Sequence, residues 1–180
     1  MSVPPAGAET VSSGDREGLP TLAFRADSRW PARAAATLAF ASASVTLFWT
    51  LGGTLLLDTV GGAPEEIARR HTLGSFAFGA AVVLVKVTAG LLALALLGRA
   101  AAGPRRRMLL FANGAASALL ILWGGANVLI GGLVLAGLFT PAGSVDEYGL
   151  RWHVFFWDAW FLVWGAILAL AVARRLRATS

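Results

Sequence analysis

The chain has 180 residues, of which 57% are hydrophobic and 14% charged, with a mean hydropathy of +0.69. Soluble domains carry about 25% charged residues, so this composition excludes a large water-soluble domain. The sequence contains no cysteine, which excludes disulfides, thiolate nucleophiles and cysteine-bound metal clusters. The net charge of +5 does not indicate nucleic-acid binding, because most arginines flank apolar segments, where basic residues set membrane topology.

Residues 1–31 are rich in Pro, Ala, Gly, Ser and charged residues, and they predict a disordered cytoplasmic tail. Four apolar segments follow, each close to the ~20 residues that a helix needs to cross a ~30 Å hydrocarbon layer. They predict spans at about 32–57, 73–97, 108–132 and 153–173, within a membrane domain of residues 32–174 and ahead of a basic tail at 175–180. The third segment stays apolar as far as Phe139, and its Gly131-Gly132 pair predicts the place where helix gives way to loop.

Basic residues cluster in three segments, and this distribution predicts the orientation of the chain. The segments are the N-terminal flank, the loop between the second and third spans, and the C-terminal tail, with Arg25, Arg29, Arg33, Arg99, Arg105, Arg106, Arg107, Arg174, Arg175 and Arg177. The other two loops carry Asp58, Glu65, Glu66, Asp146 and Glu147. The sequence therefore predicts an all-α, antiparallel bundle of four transmembrane helices in the cell membrane, with both termini cytoplasmic.

Each span carries one stripe of small or polar residues at steps of three or four positions. In lipid, such residues mark the faces on which helices contact one another. The stripes are Ser42, Thr46, Trp49 and Gly53; Gly79, Val82, Lys86 and Gly90; Asn113, Ser117, Leu120, Gly124, Asn127 and Gly131; and Asp158, Phe161, Gly165 and Ala169. This pattern predicts a compact four-helix bundle.

Two ionisable residues fall inside the apolar segments, Lys86 near the middle of the second span and Asp158 about one and a half turns inside the fourth. A charge at the bilayer centre costs at least ~2.5–3.5 kcal/mol, so it should face the protein interior and have a partner. We expect an inward contact between Lys86 and Asp158, helped by Asn127 and near Trp49. This contact would be either an ion pair that fixes helix register or a proton- or substrate-coupled site.

A second group of candidate residues falls at the outer ends of the helices and comprises Asp58, Glu65, His71, His153 and Trp157. A tryptophan belt at the lipid interface is the simpler explanation for Trp157. The two histidines could hold a haem between helices, or bind a metal together with Glu65 and Glu66. Histidines at helix ends are more often polar boundary residues, so the sequence predicts no cofactor, no metal and no catalytic residue.

Five features along the membrane domain carry a family resemblance. They are F-W-T-L-G-G (48–53), D-T-V-G-G followed by E-E-I-A-R (58–69), the isolated Lys86, G-G-A-N-V-L-I-G-G (124–132) and R-W-H-V-F-F-W-D-A-W-F (151–161). Together they resemble a family of uncharacterised bacterial four-helix integral membrane proteins, classed as a domain of unknown function, over about residues 35–173. In that family a proline usually follows the aspartate of the last motif, where this chain has Ala159. A straight helix there would aim Asp158 differently from a kinked one. The resemblance implies the fold but no activity.

Three functions remain open. A non-enzymatic membrane component is favoured, with the lipid bilayer and either a second copy or a membrane-complex subunit as partners, and without nucleic acid. The alternatives are a small proton- or solute-coupled transporter with an outward-opening site at Lys86, Asp158 and Asn127, and a haem-bearing or other membrane redox subunit. A cavity that connects Lys86 to the outer surface would favour transport, whereas a packed core would favour the structural role.

Overall fold

The computed structural model describes residues 29–98, 103–143 and 145–177, so nearly all of the predicted N-terminal tail lies outside the described residues. The helices are α1 (Trp30–Thr50), α2 (Gly62–Arg69), α3 (Leu73–Ala95), α4 (Pro104–Leu135), α5 (Glu147–Trp152) and α6 (Asp158–Arg177). A short 3-10 turn spans Leu57–Thr59, and a π-turn at His153–Trp157 joins α5 and α6 into one continuous helix. Within the described ranges, α1, α3, α4 and the joined α5–α6 helix are long and apolar enough to cross a membrane, which is consistent with an integral membrane protein.

The first span ends earlier than the sequence predicts, at Thr50 instead of residue 57. Gly52 has a φ of +98°, a left-handed conformation that glycine adopts without a Cβ clash. Its N–H donates to the Trp49 carbonyl, and the N–H of Gly53 donates to the Phe48 carbonyl. This pair of bonds is the Schellman motif, which closes a helix by satisfying its last carbonyls.

The third span continues through the Gly131-Gly132 pair, where the sequence predicts an end, and stops at Leu135. The terminating glycine is Gly137, with a φ of +69° and the same pattern of hydrogen bonds as at the end of α1. Gly131 instead serves a helix contact, since a Cβ on it would come within 2.5 Å of the Val154 side chain.

The helices associate as two pairs, α1 with α3 and α4 with α6. Helix α1 also packs against α6, whereas α3 and α4 have few contacts. Small residues of α1 form one side of the core, and Trp164 and Leu168 of α6 are buried against them. The buried alanines of this core are Ala32, Ala35, Ala36, Ala39, Ala93 and Ala171.

Glycines of the predicted stripes lie where helices approach most closely. A Cβ on Gly124 would come within 2.6 Å of the Asp158 carbonyl oxygen in the facing helix, and a Cβ on Gly165 within 2.9 Å of the Ile121 backbone nitrogen. Gly90 lies against Phe40 in the same way. Large apolar residues cover other faces of the helices and are exposed, as in a protein surrounded by lipid; they include Leu84, Val85, Phe111, Leu119 and Leu122.

We expect Gly124→Ala to destabilise the protein by about 1–3 kcal/mol, because the added methyl meets backbone atoms that cannot rotate away. Gly132→Ala is the matched control in the same helix, since a Cβ there has no neighbour within 4 Å. The control should be neutral or stabilising, because alanine favours a helix over glycine by roughly 0.5–1 kcal/mol. The midpoint of thermal unfolding in detergent would measure both effects, and equal midpoints would contradict close packing at Gly124.

Candidate functional site

A cavity of about 1200 Å³ lies between the two helix pairs. At one end it reaches α2, whose Ile67 and Ala68 line it, and at the other it reaches Lys86 in the middle of α3. Most of its surface is apolar. Seven of the predicted site residues line it, namely Trp49, His71, Lys86, Asn127, His153, Trp157 and Asp158.

Asp58 and Glu65 do not line the cavity. Asp58 is exposed in the 3-10 turn, and Glu65 lies on α2, where its carboxylate accepts a hydrogen bond from Arg69 at 2.7 Å. Glu66 pairs with Arg70, the residue at the C-terminal cap of the same helix. Helix α2 is therefore amphipathic, with an ionic face outside and an apolar face over the cavity. The apolar pattern predicts only a loop here, although these two Glu–Arg pairs at i,i+4 are a helix signal.

Lys86 binds α1, and the expected contact with Asp158 is not formed. The Lys86 ammonium donates to Thr46 Oγ1 at 2.7 Å, and it lies 3.5 Å from the Ser42 carbonyl oxygen. The Thr46 hydroxyl in turn donates to the Ser42 carbonyl at 3.1 Å. The ring of Phe161 lies 5.7 Å from the Lys86 nitrogen, within the range of a cation–π contact. The partners of Lys86 differ from the predicted ones because α3 packs on α1 rather than on α6.

Asp158 is bound by two other residues and is only 5% exposed. His153 Nδ1 lies 3.0 Å from Asp158 Oδ2, and the Asn127 amide donates to Asp158 Oδ1 at 3.5 Å. Asn127 therefore contacts Asp158, although the Lys86–Asp158 contact that it was expected to support is not formed. His153 Nε2 lies 2.6 Å from the Val60 carbonyl oxygen, which ties α6 to the segment after the 3-10 turn.

These bonds determine the charge of the histidine–aspartate pair. A carbonyl oxygen can only accept, so His153 Nε2 carries a proton and donates it to Val60. One further proton then lies between Nδ1 and the Asp158 carboxyl group. With this proton in place the pair carries no net charge. Asp158 is thus neutralised by His153 and supplies no counter-charge to Lys86.

The π-turn brings the two partners together. His153 and Asp158 are five residues apart, and on a regular α-helix they would point about 140° away from each other, at 100° per residue. In the turn, the Asp158 N–H donates to the His153 carbonyl, five residues back, so both side chains lie on one side. The sequence left open whether the helix with Ala159 is straight or kinked at Asp158, and the structure has a π-turn just before it.

Aromatic contacts extend this cluster toward α1. The rings of Trp49 and Trp157 meet edge to face with centroids 5.3 Å apart. The Trp157 indole donates to Thr59 Oγ1 at 3.1 Å, and the Trp49 indole donates to the Leu55 carbonyl at 2.9 Å. Trp157 therefore has a partner inside the protein, and with His153 it fixes the 3-10 turn to the last helix.

The two histidines offer little for a haem or a metal ion. Both ring nitrogens of His153 are hydrogen-bonded, so it could act as a ligand only after losing one of these bonds. His71 is exposed at the end of α2 with a φ of +48°. Among the described residues, no group of three or more His, Asp or Glu side chains could hold a metal ion. The cavity thus provides one cation, a neutral hydrogen-bonded pair and an apolar wall.

Comparisons with known proteins add no assignment, since no protein-family model, no curated protein and no solved structure matches the chain.

The neutral His153–Asp158 pair predicts that Asp158→Asn is well tolerated. The introduced amide can donate to His153 Nδ1 and accept from Asn127, while His153 keeps its bond to Val60. We expect Asp158→Asn to change the unfolding free energy by less than about 1 kcal/mol. Asp158→Leu leaves buried polar groups without a hydrogen-bond partner, and each such group costs about 1–3 kcal/mol. Thermal unfolding in detergent compares the two variants. If Asp158→Asn were as damaging as Asp158→Leu, the charge of Asp158 would be needed elsewhere.

Thr46→Val should lower the unfolding free energy by about 1.5–3 kcal/mol, because a hydrogen bond to a charged group is lost. Thr37→Val is the matched control, since Thr37 also donates to the carbonyl four residues back in α1 but accepts no hydrogen bond from a lysine. Its effect should be within about 0.5 kcal/mol. Combining Thr46→Val with Lys86→Met in a double-mutant cycle would test the bond, and purely additive effects would show that the two side chains do not interact.

Proposed function

We propose that the protein is a non-enzymatic component of the cell membrane that admits a solute from the outer side into the cavity above Lys86. A small solute-coupled transporter would have this arrangement. The observation that carries the proposal is the cavity itself, because it joins Lys86, Asn127 and Asp158 in one space of about 1200 Å³. Small-molecule sites usually enclose about 300–1,000 Å³. A protein that served only as a packed scaffold would have no need of this space beside an intramembrane lysine.

An antiparallel bundle with both termini cytoplasmic is part of the proposal. The Arg174 guanidinium lies 5.4 Å from the ring of Trp30, and Arg175 donates to the Gly98 carbonyl. These contacts support a common end for the start of α1 and the ends of α3 and α6. Basic residues are concentrated at that end, as expected on the cytoplasmic side.

The opposite end would then face outward, with α2 lying at the membrane surface. An amphipathic helix with charged and apolar faces is suited to the interface between water and lipid. Because Ile67 and Ala68 line the cavity, α2 would cover its outer mouth. A second copy of the chain or another membrane protein stays a proposed partner, as does membership of the uncharacterised four-helix family.

Single cysteines provide the test of orientation, because the native chain has none. We expect Asp58→Cys in intact cells to react with a membrane-impermeant methanethiosulfonate reagent, and Arg105→Cys to react only after permeabilisation. The opposite pattern would reverse the bundle in the membrane. Labelling of both positions in intact cells would contradict the four-span topology.

The same reagent tests whether water reaches the cavity from outside. Asn127→Cys should react in intact cells, because Asn127 lines the cavity. Leu129→Cys is the matched control, since Leu129 lies at nearly the same height on α4, is exposed at 64%, and does not line the cavity. Lipid should protect it, because the reactive species is the thiolate. Equal protection of both cysteines would mean a dry interior and a structural role.

A further inference from the structure

Lys86 is a cation that lacks an anionic partner within the described part of the chain. Among the described residues, no carboxylate lies within 4 Å of its ammonium group, and its acceptors are the neutral Thr46 hydroxyl and Ser42 carbonyl. Asp158, the expected counter-ion, forms a neutral pair with His153. Ionisable side chains inside a membrane normally pair with one another or mark a pathway or a ligand site. The anion that balances Lys86 is therefore expected from outside the described part of the chain, as from a bound ligand.

The walls beside Lys86 define the rest of such a ligand. Phe161 lies against the ammonium, and Val45, Val82 and Trp123 add apolar surface to the cavity. The Thr46 hydroxyl directs its proton to Ser42, so Lys86 is left as the charged donor on this wall. A single cation in apolar surroundings favours one negative charge over two, because a second charge would be desolvated without a partner.

The length of the cavity sets the size of the ligand. Lys86 lies about 20 Å along α3 from Thr72, at a rise of 1.5 Å per residue. The cavity of about 1200 Å³ is lined by both of these residues, and α3 and α4 have few contacts with each other. A chain of ten or more carbons could lie there with its head group at Lys86 and its tail toward α2.

We propose that the cavity binds an amphiphilic monocarboxylate, with its carboxylate on the Lys86 ammonium and its apolar body between the two helix pairs. This assignment rests on the proposed function, since it identifies the class of solute that the outward-opening cavity accepts. It explains why a lysine stands in the middle of α3 with only neutral acceptors. In this arrangement the hydrogen bond to Thr46 holds the ammonium group at the base of the cavity.

The test is equilibrium binding of radiolabelled dodecanoate to the purified full chain in lipid nanodiscs. We expect saturable binding that unlabelled dodecanoate displaces. Dodecanol should compete at least ten-fold more weakly, and dodecyltrimethylammonium should not compete, because both share the chain but lack the anion. Equal competition by all three would overturn the proposal, since it would indicate partition into apolar space rather than recognition of a carboxylate.

Variants locate the head group. Lys86→Met should weaken dodecanoate binding at least ten-fold, while Lys86→Arg, which keeps the charge, should bind within about three-fold of the native chain. Arg105→Met removes a positive charge outside the cavity and should bind as the native chain does. Undiminished binding to Lys86→Met would overturn the assignment. If the Lys86 variants did not fold, the competition series on the native chain would still decide.

Cysteine accessibility separates this inference from the proposed function. If Asn127→Cys reacts from outside and dodecanoate does not bind, the cavity is open but its ligand is not a monocarboxylate. If Asn127→Cys is protected like Leu129→Cys, the outward-opening site itself is wrong. A Lys86-dependent binding of dodecanoate with a protected Asn127→Cys would indicate entry from the lipid between α3 and α4.

Discussion

The hydrogen bond from His153 to the Val60 carbonyl is the interaction on which the α2 end of the bundle depends. It fixes the proton on Nε2, and thereby decides that the other nitrogen and Asp158 share one proton. The same bond holds the segment after the 3-10 turn against α6, where Trp157 adds its bond to Thr59. One contact therefore sets the position of the connection between α1 and α3 and the charge of the buried carboxyl group. A change at His153 would alter both.

Small residues explain why there is a cavity at all. Gly124 and Gly165 let α4 and α6 come together until backbone atoms nearly touch, and Gly90 in α3 leaves room for the Phe40 side chain of α1. Each pair is tight, and α1 joins the pairs through its contact with α6. The remaining side, between α3 and α4, has no comparable close approach over the half of the bundle near α2. The space left there is mostly apolar, and it also holds polar groups such as Lys86 and Asp158 that cannot face lipid.

The sequence could predict the spans and their contact faces, because both depend on local properties. Span length follows from apolar runs, and the glycine stripes follow from helical periodicity. The exact ends were missed, because Gly52 and Gly137, not the Gly131-Gly132 pair, adopt the left-handed conformation that closes a helix. Periodicity alone does not say which glycine will do so.

The partners inside the membrane were harder to predict, because they depend on how helices are rotated and on which neighbours they take. The prediction of a Lys86–Asp158 contact depends on regular helices and on a lysine that faces α6. A π-turn instead aimed Asp158 at His153, and α3 took α1 as its neighbour. The spacing of five residues between His153 and Asp158 carried no signal under an α-helical assumption, since it places the side chains on different faces. Only the insertion of a π-turn makes this spacing a contact.

The two ionisable groups end up in different helix pairs and in different electrical states. Asp158 belongs to the α4–α6 pair and is neutral together with His153, whereas Lys86 belongs to the α1–α3 pair and is bound by neutral oxygens. A lysine kept only to fix the register of α1 and α3 would be equally well served by a neutral donor, without the cost of a charge in the membrane. The cation is explained if an anion enters the cavity, because that anion is the element that would contact both helix pairs at once. Asp158 is neutralised within the protein and Lys86 is not, so Lys86 is the group at which a ligand is expected.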